Sequence, residues 1–183
     1  LEHIEQAFEI RFSSVGKRDI VVIGASTGGI EALRKVVEGL PGNFEGSVFV
    51  VMHIGPVSLL PEILSRSTKL RTVKAEDGLR FQPGHMYVAP PNRHLLIEDG
   101  HIKLSAGPRE NGHRPAVDPL FRSAARVHRS RVAGVILSGS LDDGSAGLFA
   151  VKSRNGVAIV QDPADAIAPD MPLNAMKNMV VDY

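Results

Sequence analysis

The 183-residue chain contains no cysteine and no tryptophan. Without cysteine there is no disulfide, no thiolate nucleophile and no Cys-based zinc or iron–sulfur site. Aromatic residues are only 5% of the chain. No apolar run approaches the roughly 18–20 residues that cross a bilayer, and no signal-peptide pattern opens the chain. Charge of one sign is lacking too: 21 Lys and Arg meet 20 Asp and Glu, a formal net charge of +1, which argues against nucleic acid as a partner. At 43% hydrophobic and 22% charged, the composition is that of a globular domain, not of a disordered segment, a collagen or a coiled coil. The expectation is a cytoplasmic protein, not inserted in a membrane, whose chemistry uses oxygen and nitrogen side chains.

What is present alternates short apolar runs with helical spacing. Asp19–Gly24 (DIVVIG) is a continuous apolar run ending in glycine, as in a strand buried on both faces. Ile30, Leu33, Val36, Val37 and Leu40 then mark one face of a helix that Pro41-Gly42 ends. Ser47–Met52 reads as a second buried strand, with a helical candidate at Ser58–Ser67. The middle segments Arg71–Ala75, His85–Ala89, His94–Glu98 and His101–Ser105 are short and alternating, with a two-residue turn signal at Asp99-Gly100. They predict a β-rich insertion of antiparallel character rather than a third βα unit. Asp118 before Pro119 reads as an N-cap with proline at the first helical position. Ala133–Ser138 and Val157–Gln161 are further buried strands around a helix near Ser145–Asn155, and Pro172–Met179 is amphipathic. The pattern predicts an α/β fold: a doubly wound, mainly parallel sheet flanked by helices, with a small antiparallel β-hairpin insertion.

In an open α/β sheet, ligands bind beyond the carboxyl ends of the strands. The residues that follow the first three buried runs are therefore the informative ones. They are Gly24-Ala25-Ser26-Thr27-Gly28-Gly29, then His53, then Ser138-Gly139-Ser140-Leu141-Asp142-Asp143-Gly144. A hydroxyl, an imidazole and a carboxylate at three junctions on one sheet edge are the set that acyl transfer needs. A serine is a weak nucleophile until a base takes its proton, so Ser26 needs His53 within hydrogen-bond reach. Asp142 or Asp143 would orient the imidazole and stabilise its charged form, and backbone N–H groups at the helix start would hold an oxyanion. Each residue also has a plain structural reading, as a helix cap or a satisfied histidine; three such roles at three successive strand ends would be coincidence.

Rival readings are weaker. The glycine-rich turn lacks the Lys-Ser/Thr of a P-loop and the G-x-G-x-x-G spacing, and no Tyr-x-x-x-Lys follows it. No cofactor is expected. His85, His94, His101, His113 and His128 show no H-x-x-x-H spacing, so no metal is expected. Arg122, Arg126 and Arg129 share a helical face by spacing; they read as a solvated face or as a docking surface for an acidic protein.

The blocks VIGASTGG, VMHIGP, YVAPPNRHLLI, HRPAVDPLFRSAA, LSGSLDDGSAGL and QDPADAIAPDMP resemble, in the same order, the catalytic domain of bacterial chemotaxis protein-glutamate methylesterases (CheB). The resemblance runs from about Asp19 to the end. It implies a serine hydrolase that removes methyl groups from glutamate γ-methyl esters on methyl-accepting chemotaxis receptors, and in many members deamidates receptor glutamines. It places the nucleophile on Ser26, the histidine on His53 and the aspartate on Asp143, with Thr27 and Ser140 supporting the turn and the oxyanion. Where the family usually reads Gly-Met-Gly, this chain reads Gly139-Ser140-Leu141. Residues 1–18 are expected to be an N-terminal extension or linker remnant, too short for the receiver domain the family often carries, and 19–183 the methylesterase catalytic domain. The start at Leu1 rather than Met suggests a chain either processed or excised from something longer, and a receiver domain on the parent chain or a separate regulator is expected. The chain also stops at Val181-Asp182-Tyr183, short of the family's last helix. Alternatives are a related esterase or amidase with another substrate, and a non-catalytic binding module that keeps the fold.

Overall fold

The computed structural model describes residues 18–53, 55, 59–177 and 179–183. The expected extension over residues 1–17 lies outside the described residues, as does the start of the Ser58–Ser67 helical candidate. Among the described residues eight strands and five α-helices follow in chain order: β1 Ile20–Ala25, α1 Gly29–Glu38, β2 Ser47–Met52, α2 Leu60–Ser65, β3 Arg71–Lys74, β4 His85–Val88, β5 His94–Ile97, β6 Ile102–Ser105, α3 Val117–His128, β7 Val132–Ile136, α4 Ser145–Lys152, β8 Val157–Val160 and α5 Asp170–Lys177.

Six strands make one sheet in the order β3-β4-β2-β1-β7-β8, and every pairing in it is parallel. β1 is central because all six of its residues are buried and apolar or small, so it needs cover on both faces. Val21, Ile23 and Ala25 pack with Leu33, Val36 and Val37 of α1. Ile20 and Val22 face the opposite way, into a core with Leu120 and Phe121 of α3 and with Leu95, Ile97 and Ile102. Each such Leu, Ile or Val contributes about 1.5–3 kcal/mol by leaving water. The layers approach closely where glycine permits it. A Cβ on Gly24 would lie 2.3 Å from Val117 Cγ1, so the start of α3 rests on the end of β1.

The expected α/β architecture is observed, including the antiparallel hairpin: β5 pairs with β6, and the turn between them places Gly100 at φ 74°. The hairpin is a separate layer laid against α3, where Ile97 N–H donates to Ser123 Oγ at 3.0 Å. Three expectations are corrected. β3 and β4 belong to the parallel sheet and not to an antiparallel insertion. Met86, Tyr87, Val88 and Ala89 are all buried, so that run is a doubly covered strand, while β3, at the sheet edge, has no fully buried residue. Asp118 is not the N-cap of α3; Ala116 holds that position, and Asp118 lies in the first turn with its side chain engaged elsewhere. The Arg122, Arg126, Arg129 face is also broken: α3 ends at His128, and Arg129 turns away with φ 49°.

The chain visits β2, β3 and β4 on one side of β1, then crosses to β7 and β8 on the other. This reversal opens a crevice at the carboxyl ends of β1 and β7. Ser26 and His53 lead out of β1 and β2 there, and the loop carrying Asp143 follows β7.

Candidate active site

Ser26 directly follows β1. Its N–H donates to Ser138 O at 2.9 Å, and His53 N–H donates to Ala25 O at 3.2 Å. These bonds continue the parallel ladders one step past the sheet, so the three loops leave it in register. Ser138 binds the loops together: its Oγ donates to Thr27 O at 2.8 Å and accepts from Ala168 N–H at 2.9 Å.

The side chains of Ser26, His53 and Asp143 form one hydrogen-bonded chain. Ser26 Oγ lies 3.0 Å from His53 Nδ1, and His53 Nε2 lies 2.7 Å from Asp143 Oδ2. An ionised carboxylate only accepts, so Nε2 carries the imidazole proton and Nδ1 is left to accept from the Ser26 hydroxyl. The His53 and Asp143 side chains are 6% and 1% exposed. Little water competes for these bonds.

Asp143 is held by four donors. Oδ2 accepts from His53 and from Val117 N–H at 2.7 Å, while Oδ1 accepts from Asn111 Nδ2 at 2.8 Å and Asp118 N–H at 3.1 Å. Two of these are the otherwise unsatisfied N–H groups at the start of α3, where the helix dipole favours an anion. Burial raises the Asp143 pKa, but the bonds from His53, Val117, Asn111 and Asp118 outweigh it and hold the carboxyl below its ordinary value. Asp142 is exposed; its carbonyl accepts Ser145 N–H at 3.1 Å.

Thr27 is exposed at the turn before α1, and Ser140 is half-buried beyond Gly139. Among the described residues the N–H groups of Thr27 and Ser140 have no acceptor. Gly139 must be glycine: its Cβ would lie 2.8 Å from Ser26 Cβ and 2.0 Å from Met171 Sδ. Leu141 takes φ 67°. Its N–H reaches Asp170 Oδ2 at 3.4 Å, and its carbonyl accepts from Asn174 at 2.8 Å.

Three residues at the site were not singled out for it from sequence. The His113 ring stacks on His53 with centroids 3.5 Å apart and planes 6° from parallel. Burial first, then the charge of His53 and Arg109, lower its pKa, against the opposing pull of Asp143. Asn111 bonds to Asp143 and, at 2.9 Å, to Asp118 Oδ2. Asp118 is buried, which pushes its pKa up despite bonds from Gly147 N–H and Asn111. The usable signal was Asn111-Gly112, a two-residue turn pair of the same kind as Asp99-Gly100.

Among the described residues no group of three or more His, Asp or Glu converges as a metal set. The other histidines serve the scaffold. His94 Nε2 bonds to Pro108 O at 2.8 Å and its Nδ1 accepts Ala116 N–H at 3.2 Å; His128 lies edge-on to Phe81. Arg122 is taken up by Glu110 at 2.5 Å.

A doubly wound α/β domain that joins a hydroxyl, an imidazole and a carboxylate at the carboxyl edge of its sheet is built as a hydrolase. The chain belongs to the CheB methylesterase family, whose model matches residues 21–183. It is similar to the solved Thermotoga maritima CheB methylesterase catalytic domain, at 34% identity and TM-score 0.86 over 92% of each chain. A Leptospira interrogans protein provisionally given methylesterase and glutaminase activities is 40% identical over 168 residues, 90% of this chain and 87% of that one. Protein-glutamate methylesterase/protein-glutamine glutaminases of Geobacter metallireducens and Pseudomonas aeruginosa are each 37% identical over 93% and 86% of this chain; it spans 48% and 47% of their lengths. No helix among the described residues is long and apolar enough to cross a membrane.

Proposed function

We propose that this chain is a serine hydrolase that demethylates glutamate γ-methyl esters on methyl-accepting chemotaxis receptors, with receptor glutamine amides as a second substrate class. The observation that carries the reading is the buried hydrogen-bonded chain from Ser26 through His53 to Asp143. Ser26 Oγ attacks the ester carbonyl while His53 Nδ1 takes its proton, and the new C–O bond gives a tetrahedral oxyanion. Asp143 stabilises the imidazolium through Nε2–H. The N–H groups of Thr27 and Ser140 are the oxyanion donors, each worth roughly 3–4 kcal/mol in such a site. Collapse expels methanol, which takes the proton from His53; an amide would leave as ammonia. Water, deprotonated by His53, then hydrolyses the acyl-enzyme and regenerates Ser26.

Residues 19–183 are the catalytic unit in this reading, and the protein acts in the cytoplasm, where the methylated receptor helices are. Control would come from a receiver domain on a longer parent chain or from a separate regulator. Methanol release from a methylated receptor fragment tests the reading. The protein should release it and Ser26→Ala should not. Hydrolysis of small esters with no release from receptor would assign a different substrate.

A further inference from the structure

Glu110 and His113 exchange backbone hydrogen bonds of 3.1 and 2.8 Å, closing a tight turn. Asn111 and Gly112 form its corner with φ 50° and 77°, a pairing that suits the left-handed conformation at both positions. The turn lies over the Asp143 end of the hydrogen-bonded chain. Its Asn111 amide has only two hydrogens, and each reaches a different carboxylate: Asp143 Oδ1 at 2.8 Å and Asp118 Oδ2 at 2.9 Å. Asp118 Oδ1 is occupied by Gly147 N–H at 2.6 Å, so neither acid is free to turn away.

We propose that Asn111 is a positioning residue for hydrolysis: its amide fixes the plane of the Asp143 carboxylate and screens it from Asp118. This rests on Ser26 being the nucleophile. Without the amide, Oδ1 keeps only Asp118 N–H at 3.1 Å, while Oδ2 retains His53 and Val117 N–H, so the carboxylate loses its side-chain donor on one edge alone. Two carboxylates sharing a pocket also repel, which raises the proton affinity of one of them. The charged and titratable groups that face the pair are His53 from the β2 loop, His113 from the turn, and Arg122 from α3, 4.0 Å from Asp118. Glu110 holds Arg122, and Arg109 acts on His113. Removing a neutral double donor from this set therefore favours protonation of the His53–Asp143 pair.

The test measures kcat and KM across pH for a small activated ester, beside a thermal melt. Asn111→Gly keeps the left-handed backbone and removes the amide; it should lower kcat about tenfold, leave KM unchanged and move the acid limb of kcat/KM to higher pH. Adding Asp118→Asn to that variant should return the limb toward its original position. Asn111→Asp keeps the shape but loses both donor hydrogens, and should lose at least as much kcat at pH 8. Should Asn111→Gly fail to fold, Asn111→Asp alone decides. Lower activity with an unmoved pH profile, or a raised KM at constant kcat, would overturn the positioning role. Failure of the unaltered protein to take a fluorophosphonate on Ser26 would instead remove the nucleophile on which the proposal stands.

Discussion

The His113 imidazole lies flat on that of His53, with 3.5 Å between ring centroids. Two imidazolium ions cannot share that distance at low cost, and burial with the charge of His53 and Arg109 lowers the His113 pKa. In the proposed mechanism His113, whose neutral form these effects favour, is a flat wall that pins the His53 ring while it takes a proton. His113→Phe should keep most activity because the flat neutral surface remains, whereas His113→Ala should lower kcat roughly tenfold by freeing the ring. Replacement by Arg should be worse than either. A histidine whose folded pKa lies below its unfolded one binds protons more readily when unfolded. Stability should therefore fall as pH drops below about 6.5, and His113→Phe should lessen that fall. Melts at pH 7.5 and 5.5 read it directly.

In the proposed mechanism Asp143 joins catalysis to stability, because its carboxylate also caps α3 through Val117 and Asp118 N–H. Asp143→Asn should reduce kcat by about 10⁴-fold, since an amide can neither hold the same tautomer nor balance the imidazolium. Asp143→Ala should in addition destabilise the fold by roughly 2–3 kcal/mol, because buried donors lose their acceptor. The folded pKa is depressed, so this stability is present above about pH 4 and is lost as pH falls through the folded value. Acid unfolding of Asp143→Asn should accordingly be shallower than that of the unaltered protein.

The loop after β7 leaves little room. Gly139→Ala would press a methyl against Ser26 Cβ and Met171 Sδ, so it should cut activity and lower stability by about 1–3 kcal/mol. Two positions on, Leu141 sits in a left-handed conformation that costs an L-residue roughly 1–2 kcal/mol. Leu141→Gly should be tolerated, with stability within about 1 kcal/mol of the original, because relieved strain offsets added chain entropy. Leu141→Val, branched at Cβ, should lose both stability and turnover. Denaturant midpoints and small-ester kinetics separate these outcomes.

Much of this arrangement was legible in the sequence. The unbroken apolar runs at Asp19–Gly24, Ser47–Met52 and Ala133–Ser138 announce buried parallel strands, and the residues after them fall on one edge by topology alone. Sequence does not separate β3 and β4 from an antiparallel insertion, because short segments between turns look alike locally whether their neighbours run parallel or antiparallel. Pairing is decided by residues far away, here Ser47 opposite His85 and Arg71 opposite His85. Asp118 looked like a cap because an aspartate before a proline usually is one. Instead, Asp143, 26 residues beyond Val117, supplies the capping oxygen. Asn111 and His113 act through tertiary contact, which spacing along the chain does not encode; only the Asn-Gly turn pair hinted at it.

The central claim is that Ser26 forms the acyl-enzyme. Treating the protein with a fluorophosphonate, then mapping the adduct by peptide mass spectrometry, tests it most directly. The account predicts one stoichiometric adduct on Ser26, with rapid labelling that Asp143→Asn slows sharply. No adduct, or an adduct on another serine with Ser26 unmodified, would contradict it.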